Sequence, residues 1–295
     1  MAPRLSVSQI TTLHSSFAED LRDYVAAGLA GIGVWEMKLG EDGDAEALER
    51  FSASGLESAA AVPTLPSVLP LPLLGGPEDP AERVEAFCRS LERLAPFRPS
   101  SVVCLTGTGL GRDADEARAA LTDGLATIAD EAERLGLRIG IEPYQRIGGE
   151  QWTIVNSIAE TVELIRDAGD PPALGIQFDF WHLWNSPTLY DDIEREIDRF
   201  VGVHVCDYRE PTRGWADRSL PGEGIATSRG SCARSTPQAG TGSTTSRSSP
   251  TTARSAPSTR TRSGRRRPRR RSTARRRRSS FAGPVPRPSR RGGRQ

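Results

Sequence analysis

The segment 174-LGIQFDFWH-182 decides the fold of this chain, together with two similar segments, 137-LRIGIEPY-144 and 201-VGVHVCD-207. Each is a short run of strand-forming residues that ends in ionisable side chains. Segments with the apolar spacing of an amphipathic helix, 157–168 and 189–199, separate the three runs. Strands that alternate with helices predict a parallel sheet, because a parallel neighbour requires a crossover connection.

The same alternation extends towards the N-terminus. We assign four more strands and four more helices there, namely strands Leu5–Thr12, Ile32–Leu39, Leu56–Leu65 and Val102–Thr106 and helices Phe17–Leu29, Ala45–Ser54, Pro80–Leu94 and Asp113–Leu135. Seven βα units predict an α/β fold, a (β/α)8 TIM barrel that is incomplete by one unit. A doubly wound sheet is the alternative, but no G-x-G-x-x-G follows the first strand.

Three consecutive strands of this barrel end in potential metal ligands. Glu142 and Asp179 end the fifth and sixth strands, and His204 lies in the seventh. Adjacent strands are about 4.8 Å apart, so the three side chains can converge on one ion. Two carboxylates and an imidazole suit a divalent metal, Mn²⁺, Mg²⁺, Co²⁺ or Zn²⁺. The alternative is that the carboxylates cap helices and that the histidine is a hydrogen-bonded core residue.

Four segments resemble the sugar phosphate isomerase/epimerase family of xylose-isomerase-like TIM barrels. They are GIGVWEMKL (31–39), IGIEPYQ (139–145), FDFWHLWN (178–185) and VGVHVCDYREPTRGWADRSLPGEG (201–224). The resemblance implies that Glu142, Asp179 and His204 bind the metal and that His182 and Arg218 face the substrate. It also implies a fourth metal ligand, a glutamate at the end of the eighth strand, which doubles as an acid/base group.

The chemistry implied by the resemblance suits these residue types. Chelation of two neighbouring oxygens of a sugar acidifies the C–H bond beside the carbonyl, and a carboxylate such as Glu142 removes the proton. Return of the proton to the opposite face of the enediolate gives epimerisation, and return to the neighbouring carbon gives isomerisation. A keto-cyclitol (inosose-type) dehydratase, which uses the same proton abstraction, is the alternative.

Other residues are weaker candidates for substrate contact. Trp35 and Trp181 could form apolar walls on which a sugar ring stacks, although packing in the core explains them equally well. Glu36 follows the second strand and could be a polar substrate contact, or a solvated loop carboxylate. His14 follows the first strand and could line the pocket.

The residues after Ala226 differ from the rest in composition. Residues 227–295 contain 20 arginines and no lysine, aspartate or glutamate, so that 19 basic and 38 acidic residues remain in residues 1–226. We therefore divide the chain into a barrel, 1–226, and a disordered basic tail, 227–295. Such a tail could bind nucleic acid, but only without sequence preference.

A frameshift is the second explanation of the tail. If the coding sequence of residues 227–253 is read one base earlier, a choice of synonymous codons gives the amino-acid sequence DLPGILRALDAAGWDGFYDLEIFSDDG. That sequence has the pattern of a helix, a turn and a strand. This is what the eighth βα unit requires, and its strand glutamate falls at Arg247. The tail would then be a frameshift product that has lost the last metal ligand and left a gap where strand eight belongs.

The sequence also restricts partners and location. An apurinic endonuclease site needs many histidines, and this chain has three. The apolar stretch 59–74 contains four prolines, so no membrane segment is expected, and the N-terminus has no secretory pattern. Four cysteines without a disulfide framework indicate a cytoplasmic protein. We expect a small-molecule sugar as partner and leave a homo-oligomer open.

Overall fold

A computed structural model describes residues 4–40, 44–109, 111–144, 151–214, 216–226 and 244–246. Contacts along the chain divide it into two units, residues 1–253 and residues 254–295. Arg247 and the arginine-rich part of the tail lie outside the described residues.

Eight parallel strands form a closed barrel, and a two-stranded antiparallel ribbon lies beside it. The barrel strands are β1 Leu5–Ser8, β2 Gly31–Trp35, β3 Glu57–Val62, β4 Val102–Cys104, β5 Ile139–Ile141, β6 Leu174–Asp179, β7 Phe200–Val205 and β10 Thr244–Ser246. The ribbon pairs β8 Asp207–Tyr208 with β9 Arg218–Ser219. The predicted α/β barrel fold, with seven βα units before Ala226, is confirmed.

Several of the helices described between the strands begin at a side chain that caps them. The described helices are α1 Phe17–Ala26, α2 Asp44–Ser54, α3 Pro80–Leu94, α4 Ala114–Leu135, α5 Ile158–Asp167, α6 Phe180–Leu183 and α7 Leu189–Glu196. Ser16 and Glu19 form a reciprocal capping box at the start of α1. The Asp113 carboxylate accepts hydrogen bonds from backbone N–H groups in the first turn of α4, and Gly136 ends that helix in the left-handed conformation.

The eighth position of the barrel differs from the sequence prediction. We expected a gap between β7 and β1, but Thr244–Ser246 pairs in parallel with both strands. Ladder hydrogen bonds come from the backbone, which even a Thr-Thr-Ser segment supplies, and threonine favours strands. Closure also removes two exposed strand edges. Residues 227–243, where the helix before this strand would be, lie outside the described residues.

The main hydrophobic core lies between the helices and the outside of the barrel. It includes Phe87 and Leu91 of α3 and Leu121, Leu125 and Ile128 of α4, all fully buried. Fully burying one such side chain contributes about 1.5–3 kcal/mol. No helix in the described ranges is both long enough and apolar enough to cross a membrane.

A polar side chain fills the barrel interior below the site. Gln177 is fully buried in β6, and its Oε1 accepts a hydrogen bond from the Ser101 hydroxyl at 3.0 Å. A Cβ on Gly202 would lie 2.2 Å from that Oε1, so only glycine leaves room for the glutamine.

Two buried polar residues hold the loops at the carboxyl ends of the strands. The Arg83 guanidinium donates to the carbonyl oxygens of Ser67, Gly75 and Pro77 in the proline-rich loop after β3. The Asp207 carboxylate accepts from the backbone N–H groups of Tyr208, Gly222 and Ala226. The hydrogen bonds of Asp207 hold both ends of the segment 208–226, which contains Arg218.

Candidate active site

Three side chains converge at the carboxyl ends of β5, β6 and β7. The His204 Nδ1 lies 3.0 Å from Glu142 Oε1 and 3.9 Å from Asp179 Oδ2. One ligand atom from each of the three residues lies within 4.8 Å of the other two, and all three residues are buried. The structure thus brings together the three metal ligands predicted from the sequence.

Strand pairing explains this convergence. Glu142 directly follows β5, and its backbone N–H donates to the Cys104 carbonyl of β4, which extends the ladder by one residue. Asp179 is paired with His204 across β6 and β7. Because parallel strands of a barrel point their carboxyl ends to one face, the three heads meet there.

Asp179 has two roles at this position. Its Oδ1 accepts from the Trp181 backbone N–H at 2.9 Å and so caps the short helix α6. Its Oδ2 accepts from the Arg218 Nη1 at 2.7 Å. The helix cap thus occupies Oδ1, whereas Oδ2 is the oxygen that lies near His204 in the candidate metal site.

Arg218 connects Asp179 of the candidate metal site to His182. Its Nη2 lies 3.0 Å from His182 Nε2, and because a guanidinium can only donate, that nitrogen accepts and the imidazole proton is on Nδ1. Burial by itself would lower the pKa of Arg218, but the Asp179 carboxylate, together with Cys206 and Tyr144, outweighs burial and raises the pKa above its ordinary value. The guanidinium also lies 4.7 Å from the ring centroid of Trp181, which contributes a cation–π contact.

Tyr144 belongs to the site and was not identified from the sequence. Its hydroxyl donates to Glu142 Oε2 at 3.3 Å. Its ring stacks on His182 with centroids 3.5 Å apart and an interplanar angle of 15°. The signal in the sequence was its place two residues after Glu142, since side chains at that spacing share a face of an extended segment.

A cavity of about 230 Å³ opens beside Glu142, one of the three candidate metal ligands. Glu142, Tyr144 and Arg218 line its inner end, and Trp35 and Trp152 line its side. Most of the remaining lining is apolar. The cavity therefore places one of the candidate ligands and one cation against a space that could hold a small organic molecule.

The other sequence candidates lie in different surroundings. Trp181 is buried against Arg218 and His182. Glu36 is buried too, but its carboxylate accepts a hydrogen bond from the Thr64 backbone N–H at 2.7 Å and forms an ion pair with Arg93. His14 is exposed on the loop after β1. Of the residues predicted to contact substrate, only Trp35 and Arg218 line the cavity among the described positions.

The three candidate ligands fit a divalent metal ion. Two atoms bound to one ion lie at most twice the bond length apart, about 4.0–5.2 Å for bonds of about 2.0–2.6 Å. The observed limit of 4.8 Å falls in this range. Among the described neighbours, two buried carboxylates are set against one guanidinium. A bound cation would correct that imbalance.

Comparison with known proteins establishes the family. A profile described as xylose isomerase-like TIM barrel matches residues 21–229, which is more than half of the chain. The chain belongs to the xylose isomerase-like TIM barrel family. The matched range of this xylose isomerase-like barrel contains β2 to β7 and all three candidate metal ligands, as the sequence resemblance implied.

Solved structures share the fold of this xylose isomerase-like barrel at low sequence identity. Protein SMc04130 from Sinorhizobium meliloti 1021 has a TM-score of 0.71 at 23% identity, over 82% of this chain and 88% of that one. The IolI protein with a bound zinc atom has a TM-score of 0.68 at 18% identity, over 84% and 90%. The 3-keto-D-glucoside 4-epimerase YcjR from E. coli, in its apo form, has a TM-score of 0.66 at 18% identity, over 84% and 92%. A search among curated protein sequences finds no match.

Proposed function

We propose that this chain encodes a metal-dependent isomerase or epimerase of a small sugar, which removes a proton from the carbon beside a carbonyl group. The observation that carries the proposal is the convergence of Glu142, Asp179 and His204 within 4.8 Å of one another, with Glu142 also lining the cavity. A zinc-bound protein and a sugar epimerase among the structural neighbours are consistent with it.

In this proposal Glu142 is the base. Its Oε2 is hydrogen-bonded to the Tyr144 hydroxyl, which holds the carboxylate in one orientation at the cavity wall. A carboxylate fixed in this way can remove the proton beside the substrate carbonyl and return it to another face or carbon. A bound divalent cation would supply Lewis-acid polarisation of the carbonyl, with Glu142, Asp179 and His204 as its ligands.

Arg218 acts on the substrate oxygens in this proposal, and His182 supports it. The Arg218 guanidinium lines the cavity and can stabilise negative charge that develops on an oxygen as the proton leaves. His182 contacts Arg218 and the Tyr144 ring, so it contributes by orienting both. Trp35 and Trp152 offer apolar ring faces on which a sugar can stack.

Completeness of the metal site is a separate part of the proposal. The family resemblance assigns a fourth ligand to the end of the eighth strand, and the frameshift hypothesis places the lost glutamate at Arg247, just after Ser246 of β10. The chain as given would then lack one metal ligand and one acid/base group. A cytoplasmic location and self-association belong to the same proposal and rest on the sequence alone.

Hydrogen exchange tests the function directly. The protein is incubated in heavy water with Mn²⁺ or Mg²⁺ and a panel of ketoses, and deuterium incorporation beside the carbonyl is followed by NMR. We expect metal-dependent incorporation that Glu142→Gln abolishes, strongest in a frame-restored chain. Absence of exchange by the frame-restored chain with every ketose would refute the proposal, and elimination of water would identify the dehydratase alternative instead.

A further inference from the structure

The wall of the cavity is apolar almost throughout. Residues from several strands and loops contribute to it, among them Ile10, Val62, Pro66, Val103 and Leu105. Among the described lining residues the only ionisable side chains are Glu142 and Arg218, and the only others that carry a hydroxyl are Thr11, Thr64 and Tyr144. A molecule covered with hydroxyl groups would leave many of them unpaired against this wall, which costs free energy.

The cationic side chain in the described lining, Arg218, already forms hydrogen bonds within the protein. Arg218 donates to Asp179 Oδ2 and to His182 Nε2, and its guanidinium faces the ring of Trp181. A phosphate group is normally held by arginine or lysine side chains or by a helix N-terminus. Lys38, which lies close in sequence to Trp35, is paired with Asp20 and donates to the Thr12 carbonyl. The described lining therefore offers no separate phosphate site.

The mouth of the cavity is also apolar. Leu13, Met37 and Leu74 line the cavity, and their exposed fractions are 44%, 56% and 45%. Large apolar side chains that are half exposed and grouped around a pocket mark a binding surface. A ligand bound with its carbonyl group at Glu142 would extend any substituent towards this rim.

From these observations we infer that the substrate is an uncharged sugar derivative that keeps a free keto group and carries an apolar aryl or alkyl substituent, and not a sugar phosphate. The sugar ring lies between Glu142 and the tryptophan faces, and the apolar substituent lies against Leu13, Met37 and Leu74. This inference rests on the proposed function, because it takes the position of the reacting carbon from the metal ligands.

Binding of three probes to the full chain tests the substrate class. The probes are phenyl β-D-glucoside, methyl β-D-glucoside and glucose 6-phosphate, and binding is followed by calorimetry and by the fluorescence of Trp35 and Trp152. We expect the phenyl glucoside to bind at least about tenfold more tightly than the methyl glucoside, as a well-filled apolar subsite allows. We expect glucose 6-phosphate to bind least tightly of the three.

A matched pair of substitutions assigns the preference to the rim. Leu74→Ser should reduce the advantage of the phenyl glucoside, whereas Leu73→Ser should not, because Leu73 is 50% exposed but does not line the cavity. If Leu74→Ser fails to fold, Met37→Gln takes its place. Equal affinities for the two glucosides, tighter binding of the phosphate, or equal effects of both serine variants would overturn the inference. Deuterium exchange is measured separately, so it reports on the proposed function whatever these affinities are.

Discussion

Asp179 and His204 are paired residues of neighbouring parallel strands, and a one-residue bulge makes them so. Ile176 pairs with Phe200, but the next residue, Gln177, pairs with Gly202, so that Val201 is skipped. Without that skip, Asp179 would face Val203 and the imidazole would point to the other side of the sheet. Bulges are frequent beside functional sites for this reason. Here the bulge turns the imidazole of His204 towards both carboxylates.

Loss of the Glu142 charge should weaken metal binding and slow proton exchange together. Glu142→Gln keeps the shape of the side chain but removes the charge that faces His204. We expect proton exchange to fall by roughly 10²- to 10⁴-fold, the usual contribution of a general base. Metal affinity is measured by calorimetry with Mn²⁺. Glu36→Gln is the control, because Glu36 is an equally buried carboxylate bound elsewhere, by Thr64 and Arg93. A similar loss in both variants would contradict the assignment.

Tyr144→Phe should slow proton exchange without weakening substrate binding. The change removes the hydrogen bond to Glu142 Oε2 but leaves the ring stacked on His182. Supporting hydrogen bonds of this kind are worth about 10–100-fold in activity. We expect kcat to fall while KM stays close to its original value, and Tyr144→Ala to affect both. An unchanged kcat in Tyr144→Phe would show that the hydroxyl does not orient the base.

Removal of the buried cation Lys38 should destabilise the fold. Lys38 pairs with Asp20 at 2.7 Å, and the side chains are only 7% and 1% exposed. Lys38→Met leaves the Asp20 charge buried without its ion pair, which costs about 3–5 kcal/mol. Arg22→Met is the control, since its pair with Asp23 is exposed to solvent and contributes little to stability. Urea unfolding measures both, and equal losses would argue against this view of the pair.

Stability should depend on the ionisation of Asp217 in acid. Hydrogen bonds from the side chain and the backbone N–H of Arg213 lower the pKa of Asp217 from 3.8 to about 2. The folded state therefore favours the charged form, so this contribution is complete above pH of about 4 and is lost as the pH falls through about 2. We measure the free energy of unfolding in urea from pH 2 to pH 6. Its increase with pH should be smaller in Asp217→Asn, because that variant lacks the ionising carboxyl group.

Arg213→Met provides the matching test of the cause. It removes the side-chain donor but keeps the carboxylate, so the pKa of Asp217 should return towards its ordinary value. Because Arg213 is exposed, salt should weaken the effect. If the free energy of unfolding depends on pH as strongly in Asp217→Asn and Arg213→Met as in the original chain, the dependence comes from other ionisable groups.

Restoring a carboxylate after β10 should improve metal binding. Arg247 lies outside the described residues, but it directly follows Ser246, whose barrel partner is Val205, next to His204. If the frameshift hypothesis holds, Arg247→Glu returns the fourth ligand, and affinity for Mn²⁺ should rise at least about tenfold, the scale of effects around metal ligands. Arg254→Glu makes the same charge change outside the barrel unit. The same gain from both variants would indicate only a change in net charge.

The sequence predicted the barrel well because the signal is local. Helical spacing in segments such as Pro80–Leu94 appears in the structure with the same bounds, and Asp113 caps the helix that was expected to follow it. The expectation of an open gap before β1 was wrong. Side-chain composition does not reveal this strand, because its hydrogen bonds to β1 and β7 come from the backbone. No apolar pattern marks Thr244–Ser246, so local reasoning could not find it.

By itself, the sequence determined the alternation of strands and helices, and with it the end of the barrel at which Glu142, Asp179 and His204 would lie. Those properties follow from residue spacing and from the common direction of parallel strands. Only the tertiary structure decided that Tyr144 joins Glu142 to His182, that Glu36 bonds Thr64 and Arg93, and that the cavity is apolar. Such contacts depend on register, bulges and loop paths, which are set by packing between segments far apart in the chain.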